Sequence, residues 1–365
     1  MVEFWRAGGS ESITTAEAAR KVEAEGWDGQ MFMDSQSLCA DPYVRMGVWA
    51  AATERIKLST GVTNPLTRHP VVTATAAATV QSISGGRAVL GIGRGDSALA
   101  YLGYAPANLG AFRRALNDLQ TLLRGGEVRF GAHESLTSAP AADTLSLGGR
   151  PTVSRLQWLP VGLPKVPLDV AATGPKVIEM SAPIAERVTF SIGAMADRVA
   201  WAVDLARAAR RTQNLSDAGM SYGVQIIVVC HPNLDAVRGA ATSMVAPLAR
   251  FQVIQGDAAG PKSGSDAENF TAIRRGYDMS KHGMIHADDK IKGATLAWDF
   301  VQRFAIVGPP DRCIERLLDL AALGIERFVI VGPGFHPEAG DGRRSLFASE
   351  VMPAVRQQAK LKLGC

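Results

Sequence analysis

Short apolar runs alternate with longer amphipathic segments along most of this chain. The short runs are typical of buried strands, and the amphipathic segments have the spacing of helices that cover a sheet. The predicted strands are residues 2–5, 30–33, 56–60, 88–92, 168–172, 187–192, 222–230 and 327–331. The predicted helices are residues 14–25, 41–53, 70–83, 109–123, 175–185, 196–211, 313–323 and 345–360.

The regular alternation of strand and helix predicts an α/β fold. Strands that are short and almost evenly spaced favour a (β/α)8 TIM barrel over a doubly wound open sheet, which has the same alternation. Residues 125–167, after the fourth helix, and residues 251–293, after the seventh strand, do not fit the repeat. We therefore expect a single domain over residues 1–365, with these two insertion segments at the barrel mouth.

Small and polar residues follow the third and fourth predicted strands. They are Thr60, Gly61, Val62 and Asn64 after the third strand, and Gly93, Arg94, Gly95 and Asp96 after the fourth. Glycine lets main chain approach a flat ligand closely, and α/β folds place their active sites at the carboxyl ends of parallel strands. A GxGxxG dinucleotide loop does not fit, because Asp96 stands at the last glycine position. The alternative is that both loops are simple tight turns.

A second candidate site follows the fifth and sixth predicted strands. Ala172, Thr173 and Gly174 precede a helix that opens with Pro175, and free N–H groups at a helix N-terminus bind phosphate. Ser191 and Gly193 follow the sixth strand and would complete such a site. The signal is unspecific, because many helices begin this way.

Two titratable residues lie where acid–base chemistry would need them. Asp34 ends the second strand, and His69 lies just beyond the loop after the third strand. Either side chain can relay a proton at a barrel mouth, although a helix cap or an ion pair is an equal alternative for Asp34. His282 and His286 are four residues apart, but no third ligand has suitable spacing, so no metal site is predicted.

Composition narrows the class of protein. The net charge is only +4 and the basic residues are scattered, which argues against a nucleic-acid partner. The 4 cysteines share no metal-binding spacing, and no apolar run is long enough to span a membrane. The first residues lack the pattern of a signal peptide, so we expect a cytoplasmic enzyme that acts on a small molecule.

The residues between the third and fourth strands carry a family resemblance. The stretch TGVTNPLTRHPVVTATAAATVQSISGGRAVLGIGRGDSA resembles the bacterial luciferase-like flavin and deazaflavin oxidoreductases. EAEGWDGQMFMDS, PLDVAATGPKVIEMSAPIAERVTFSIG and FAIVGPPDRCIERLLDLAALGIERFVIVG resemble the same family. The match is nearest to the branch that uses the deazaflavin coenzyme F420, such as the methylenetetrahydromethanopterin reductases. The family fold is a (β/α)8 barrel with insertions.

The resemblance implies roles for several residues. Gly61-Val62 matches a dipeptide that closes the third strand as a bulge, commonly with a non-proline cis peptide bond, and backs the ring of the cofactor. Asn64 would offer its amide to the polar edge of that ring. The deazaflavin enzymes commonly have Asp followed by His where this chain has Asp34 and Ser35, which puts histidine-centred chemistry in doubt. Family analogy also implies a homodimer.

Three functions are therefore compared. The first is an F420-dependent oxidoreductase that transfers a hydride between the deazaflavin and an organic substrate, with Asp34 and His69 as acid and base. The second is an FMN-dependent, two-component monooxygenase that uses reduced flavin and dioxygen. The third is a non-catalytic flavin-binding protein, which the full set of strand–helix units argues against.

Overall fold

The computed structural model describes residues 2–7, 15–131, 139–140, 142–146, 148–282, 291–293, 295–331 and 345–363. Its main strands are β1 (Glu3–Ala7), β2 (Gly29–Phe32), β3 (Lys57–Thr60), β4 (Ala88–Ile92), β5 (Leu168–Ala172), β6 (Arg187–Phe190), β7 (Ser221–Cys230) and β8 (Arg327–Val331). Each strand neighbours the next in this order, and β8 pairs with β1 in parallel. The closed strand order confirms the predicted (β/α)8 barrel.

The described helices include all eight that were predicted, most of them with bounds close to those expected. They are α1 (Ala16–Ala24), α2 (Pro42–Ala52), α3 (Pro70–Ile83), α4 (Leu109–Leu123), α5 (Pro175–Ser181), α6 (Ala196–Thr212), α7 (Leu234–Ala249), α8 (Gly264–Gly276), α9 (Trp298–Phe304), α10 (Pro310–Ala322) and α11 (Met352–Leu363). Shorter elements are a helical turn at Ser97–Ala100, 3-10 turns at Ala142–Thr144, Arg250–Gln252 and Met279–Lys281, and a π-helical turn at Phe347–Val351. No described helix combines the length and the apolar character needed to cross a bilayer.

The predicted insertion segments contain regular structure of their own. In residues 125–167, Val128–Arg129 pairs antiparallel with Val153–Ser154. Between β7 and β8, the sequence analysis did not predict α7, α8, α9 or the short strand Ile306–Gly308, which extends the sheet beside β7. A capping box between Ser263 and Asp266 starts α8. Residues 283–290, which include His286, lie outside the described residues.

The chain forms two compact units. The first consists of residues 1–9, 20–31 and 170–365, and the second of residues 10–19 and 32–169. The core of the first unit contains Phe270 and Phe300, whose rings meet edge to face with centroids 5.3 Å apart. This aromatic core joins the helices that lie between β7 and β8 in the chain.

In the second unit, small residues let a helix pack closely on the strands. Ala74, Ala77 and Ala78 on α3 are all buried, which explains an alanine-rich helix as a packing surface. Arg87 then fixes the start of β3, because its guanidinium donates to the carbonyls of Ala50 and Ile56 at 2.8 and 2.7 Å. Arg87 thereby ties the end of α2 to the start of β3.

Candidate functional site

Main-chain hydrogen bonds continue past the ends of β3 and β4. The N–H of Gly61 donates to the carbonyl of Phe32 at 2.6 Å, and the N–H of Thr63 donates to the carbonyl of Gly91 at 3.0 Å. The N–H of Gly93 donates back to the carbonyl of Thr63 at 2.9 Å. The loops after these two strands therefore form one ordered surface, which we call the β3–β4 loop site; it consists of Gly61, Val62, Asn64, Gly93 and Gly95.

Gly61 and Val62 are the accessible residues of the β3–β4 loop site at the end of β3. Both residues are half-buried, whereas Thr63 and Asn64, which follow them, are buried. The Gly61-Val62 peptide bond is cis, as the family resemblance implies. Thr60 has a different role, because its buried hydroxyl donates to the carbonyl of Gly91 at 2.6 Å. A ligand at this end of β3 would therefore meet main chain rather than the Thr60 side chain.

In the part of the chain that the structure describes, the Asn64 side chain uses its amide oxygen in hydrogen bonds but not its amide nitrogen. Its Oδ1 accepts hydrogen bonds from the N–H groups of Leu66 and Thr67, each at 3.0 Å. These bonds fix the side chain, yet its Nδ2 is buried and has no acceptor among the described residues. An unpaired buried donor costs about 1–3 kcal/mol, so a ligand that supplies an acceptor would stabilise this site. A carbonyl oxygen on a flat cofactor ring fits that requirement.

The loop after β4 holds itself against Asn64. Gly95 has a φ of +89°, and a Cβ there would lie 2.4 Å from Leu99 and 3.1 Å from the Asn64 side chain. Arg94 Nε donates to the carbonyl of Ala107 at 2.6 Å, and the N–H of Ala107 donates to the carbonyl of Arg94 at 2.9 Å. The carbonyl of Asp96 accepts from the helical turn that follows. Arg94 and Asp96 therefore shape the loop.

Asp34 is buried at the end of β2 and is fully hydrogen-bonded. Its Oδ2 accepts from Arg68 Nη1 at 2.5 Å, and its Oδ1 accepts from Gln36 Nε2 at 2.5 Å. Ser35, where the family resemblance implies histidine, contacts the hydroxyl of Ser97 at 3.1 Å. Both carboxylate oxygens of Asp34 therefore have partners within the protein.

The sequence analysis missed Tyr43 as a neighbour of this site. Arg68 lies over the Tyr43 ring, with 5.2 Å from the guanidinium carbon to the ring centroid. The Tyr43 hydroxyl approaches the Thr63 hydroxyl without a well-aligned hydrogen bond, and burial first, then the Asp34 charge, raises the pKa of Tyr43. Tyr43 thus stays protonated near neutral pH. Its position as the second residue of α2, directly after Pro42, carries no signal in a single sequence.

His69 caps a helix. Its Nδ1 accepts a hydrogen bond from the N–H of Val71 at 3.2 Å, at the first turn of α3. Burial lowers the pKa of His69, and the nearby Asp118 opposes that change. The imidazole is therefore neutral at pH 7, with Nδ1 used as an acceptor.

The second predicted site lies in the first unit. Gly174 is the N-cap of α5, and the N–H groups of Val177 and Ile178 both donate to its carbonyl at 3.1 Å. Since Pro175 has no N–H, a phosphate here would meet only the N–H groups of Gly174 and Lys176. Thr173 and Gly174 are half-buried, so a ligand can reach them.

Ser191 and Gly193, after β6, are in contact with other residues of the protein. The Ser191 hydroxyl contacts Gln225 Oε1 at 2.9 Å, and its carbonyl accepts from Gln252 at 2.7 Å. Gly193 has a φ of +78°, and a Cβ there would lie 2.8 Å from Phe304. Among the described residues no group of three or more His, Cys, Asp and Glu side chains could hold a metal ion.

Comparison with known proteins decides the family. The sequence profile described as luciferase-like monooxygenase matches residues 6–327. The chain belongs to the luciferase-like monooxygenase family. Within this family, the chain is 26% identical over 338 residues to a 5,10-methylenetetrahydromethanopterin reductase of Methanolobus tindarius. That match covers 88% of this chain and 90% of the relative.

Two further proteins similar to this chain have F420 in their names, and one of them shows the shared fold. An F420-dependent glucose-6-phosphate dehydrogenase of Beutenbergia cavernae is 34% identical over 147 residues, 37% of this chain and 38% of that protein. The structure of a coenzyme F420 dependent tetrahydromethanopterin reductase from Methanopyrus kandleri superposes with a TM-score of 0.70 at 20% identity, over 96% of this chain and 99% of that one.

A solved structure that contains FMN has the same fold. The oxygenating constituent of 3,6-diketocamphane monooxygenase from Pseudomonas putida, in complex with FMN, superposes with a TM-score of 0.60 at 15% identity. It covers 97% of this chain and 99% of the other. The chain is therefore an enzyme, a flavin- or deazaflavin-dependent oxidoreductase.

Proposed function

We propose that this enzyme transfers a hydride between coenzyme F420 and a small organic substrate. The observation that carries the proposal is that a 5,10-methylenetetrahydromethanopterin reductase aligns with 88% of the chain in sequence. The F420-dependent dehydrogenase aligns locally at 34% identity. These relatives support F420, and the β3–β4 loop site offers what a flat ring needs.

The residues of the β3–β4 loop site fit such a ring. Half-buried main chain at Gly61-Val62 would support one face, and the Asn64 amide would donate to a carbonyl oxygen at the edge. F420, when bound, supplies the carbon that accepts or releases the hydride. The protein orients the ring and excludes water from it.

For the phosphoryl group of the cofactor tail, we propose Ala172, Thr173 and Gly174. The N–H groups of Gly174 and Lys176 and the Thr173 hydroxyl are the available donors. Ser191 and Gly193 would support this loop through their packing rather than touch the tail.

We infer that Asp34 and His69, expected as acid and base, hold loops instead. Both oxygens of Asp34 accept hydrogen bonds, and the Nδ1 of His69 caps α3. A proton, where the substrate requires one, would then come from solvent or from the substrate pocket.

The second candidate is an FMN-dependent monooxygenase. The family description and the shared fold of the FMN-bound structure favour it. FMN also has a flat ring with carbonyl oxygens and a phosphate, so the same residues would serve. The sequence identity to that structure is only 15%, so the comparison supports the fold alone.

Parallel titrations of the purified protein with oxidised F420 and with FMN test the ranking. Each cofactor is followed by its absorbance and by quenching of its fluorescence. We expect saturable binding of F420 that is at least tenfold tighter than binding of FMN. Tight FMN binding without measurable F420 binding would reverse the order of the two candidates.

A further inference from the structure

Arg68 joins two loops through a single guanidinium group. Its Nη1 contacts Asp34 at the end of β2 at 2.5 Å, and its Nη2 contacts Asp41, the N-cap of α2, at 2.7 Å. Arg68 itself stands in the loop between β3 and α3. One side chain therefore ties the segment after β3 to both ends of the β2–α2 loop.

The two ion pairs differ in burial. The Asp34 side chain is 1% exposed and the Arg68 side chain 17%, whereas the Asp41 side chain is 45% exposed. A buried charge that loses its partner is strongly destabilised, while an exposed pair contributes little. The Asp34 contact is therefore the one on which the arrangement depends.

Arginine is specifically suited to this position. Its planar fork reaches two carboxylates at once and lies flat over the Tyr43 ring, which a lysine cannot do. Burial works to lower the pKa of Arg68, but the charges of Asp34 and Asp41 outweigh it and raise the pKa. Arg68 thus remains charged throughout the range in which proteins are stable.

The same loop carries the unpaired amide of the β3–β4 loop site. Asn64 Oδ1 is bonded to the N–H groups of Leu66 and Thr67, and Thr67 directly precedes Arg68. The turn is therefore held at one end by Asn64 and at the other by the Arg68 ion pairs. A displacement of Arg68 would be transmitted through three residues to the Asn64 side chain.

We propose that Arg68 is a positioning residue of the cofactor site, which clamps the Asn64 turn onto Asp34. In this arrangement Asp34 is a fixed anionic anchor and not a proton donor or acceptor. The inference rests on the proposed function, since it is F420 that the Asn64 amide would meet. It assigns to Arg68 and Asp34 a joint role that neither family membership nor the catalytic expectation for Asp34 contains.

The test removes the charge of Arg68 and follows F420 affinity with pH. Arg68→Gln removes the counter-charge of the buried Asp34 carboxylate, which keeps only the hydrogen bond from Gln36, so the variant is penalised most at a pH where that carboxylate is ionised. The titratable and charged groups around it are Arg68, Asp41, Tyr43, Cys39 and Arg45. We expect R68Q to bind F420 about tenfold more weakly than wild type at pH 8, with affinity recovering as the pH falls toward 5.

Two further variants separate positioning from general damage. The double variant D34N/R68Q has no buried charge to neutralise, so its affinity should be independent of pH and higher than that of R68Q at pH 8. R68K keeps the charge but not the fork, and should lie between wild type and R68Q without the new pH dependence.

A matched control comes from the first unit. Arg303 also bridges two carboxylates, the buried Asp266 and the exposed Asp299. R303Q should lower the melting temperature but leave F420 affinity unchanged. An R68Q protein that binds F420 like wild type at every pH would overturn the inference, as would a D34N/R68Q protein that keeps the pH dependence of R68Q.

Thermal unfolding over the same pH range tests the Arg68–Asp34 contact without any cofactor. The melting temperature of R68Q should fall further below that of wild type as the pH rises, and D34N/R68Q should abolish this trend. If wild type itself does not bind F420, the proposed function fails, and the melting curves alone decide whether Asp34 depends on Arg68. Parallel melting curves for R68Q and wild type would then overturn the clamp as well.

Discussion

The Thr60 hydroxyl donates a 2.6 Å hydrogen bond to the carbonyl of Gly91, at the point where β3 and β4 end. The two strands approach so closely here that a Cβ on Gly91 would lie 2.0 Å from the carbonyl oxygen of Thr60. Glycine at position 91 is therefore required by the neighbouring main chain. The ends of β3 and β4 are therefore held side by side at the point where the two loops of the site begin.

Gly91→Ala should accordingly destabilise the enzyme severely. The methyl group would meet main chain, which cannot rotate away, so we expect a loss of about 3 kcal/mol or more in the free energy of unfolding. Gly47→Ala is the matched control, because Gly47 lies in α2 with no atom within 4 Å of the added Cβ. It should raise stability by up to about 1 kcal/mol. Urea denaturation measures both, and equal stability of G91A and wild type would contradict the packing described.

Asn64→Asp removes the donor half of the Asn64 amide and puts a carboxylate in its place. Aspartate keeps the acceptor for the N–H groups of Leu66 and Thr67 but cannot donate to a ring carbonyl. We expect F420 affinity to fall about ten- to hundredfold. Asn108→Asp makes the same change at the exposed N-cap of α4, where Oδ1 accepts from Ala111 at 2.8 Å. Fluorescence titration should show N108D unchanged, and unchanged binding by N64D would remove Asn64 from the site.

His69 should matter for stability rather than for turnover. His69→Asn keeps a cap for α3 and should retain activity, whereas His69→Ala should cost about 1 kcal/mol of stability. Because burial lowers the pKa of His69, the unfolded chain takes up its proton first, so the stability due to neutral His69 is lost as the pH falls below its unfolded value. H69N should remove that part of the acid destabilisation in thermal melts. Loss of turnover by folded H69N would restore His69 as a catalytic residue.

Alanine substitutions at Gly174 and Gly193 test whether the cofactor phosphate binds at the N-terminus of α5. A Cβ on Gly174 would meet nothing within 4 Å, so Gly174→Ala should cost less than about 1 kcal/mol of stability. If the cofactor phosphate contacts the Gly174 main chain, the methyl group should still weaken F420 binding several-fold. Gly193→Ala should instead affect stability more than F420 affinity. We expect a stability loss of about 2 kcal/mol or more, because the added methyl group would meet Phe304 and the backbone at position 193 has a positive φ. Unchanged F420 affinity in G174A would exclude the phosphate from this position.

The strands were predictable because each is a short apolar run between polar turns. β4, for example, is buried at all of its residues and was predicted with its observed bounds. Three helices between β7 and β8 were not predicted: the apolar positions of α7 and α8 are interrupted by Gly, Ser or Pro residues, and α9 is only 7 residues long. The signals that could have found them are the Asn233 cap of α7 and the Ser263–Asp266 capping box of α8.

Partners of the site residues depend on contacts distant in sequence. Asp34 and Arg68 are 34 positions apart, and no periodic pattern reports that their side chains meet. Gly193 was predicted as a ligand contact, yet its conformation is set by Phe304. The homodimer and the cytoplasmic location, expected from family analogy and from the first residues, stay predictions.

The most direct test of the central claim is to identify the cofactor that the enzyme selects. The full chain would be purified from a host that makes both F420 and FMN, and the bound cofactor released and identified by its absorbance spectrum and mass. The account predicts F420, with less of it retained by N64D than by N108D. Stoichiometric FMN in the wild-type protein, with no F420, would contradict it.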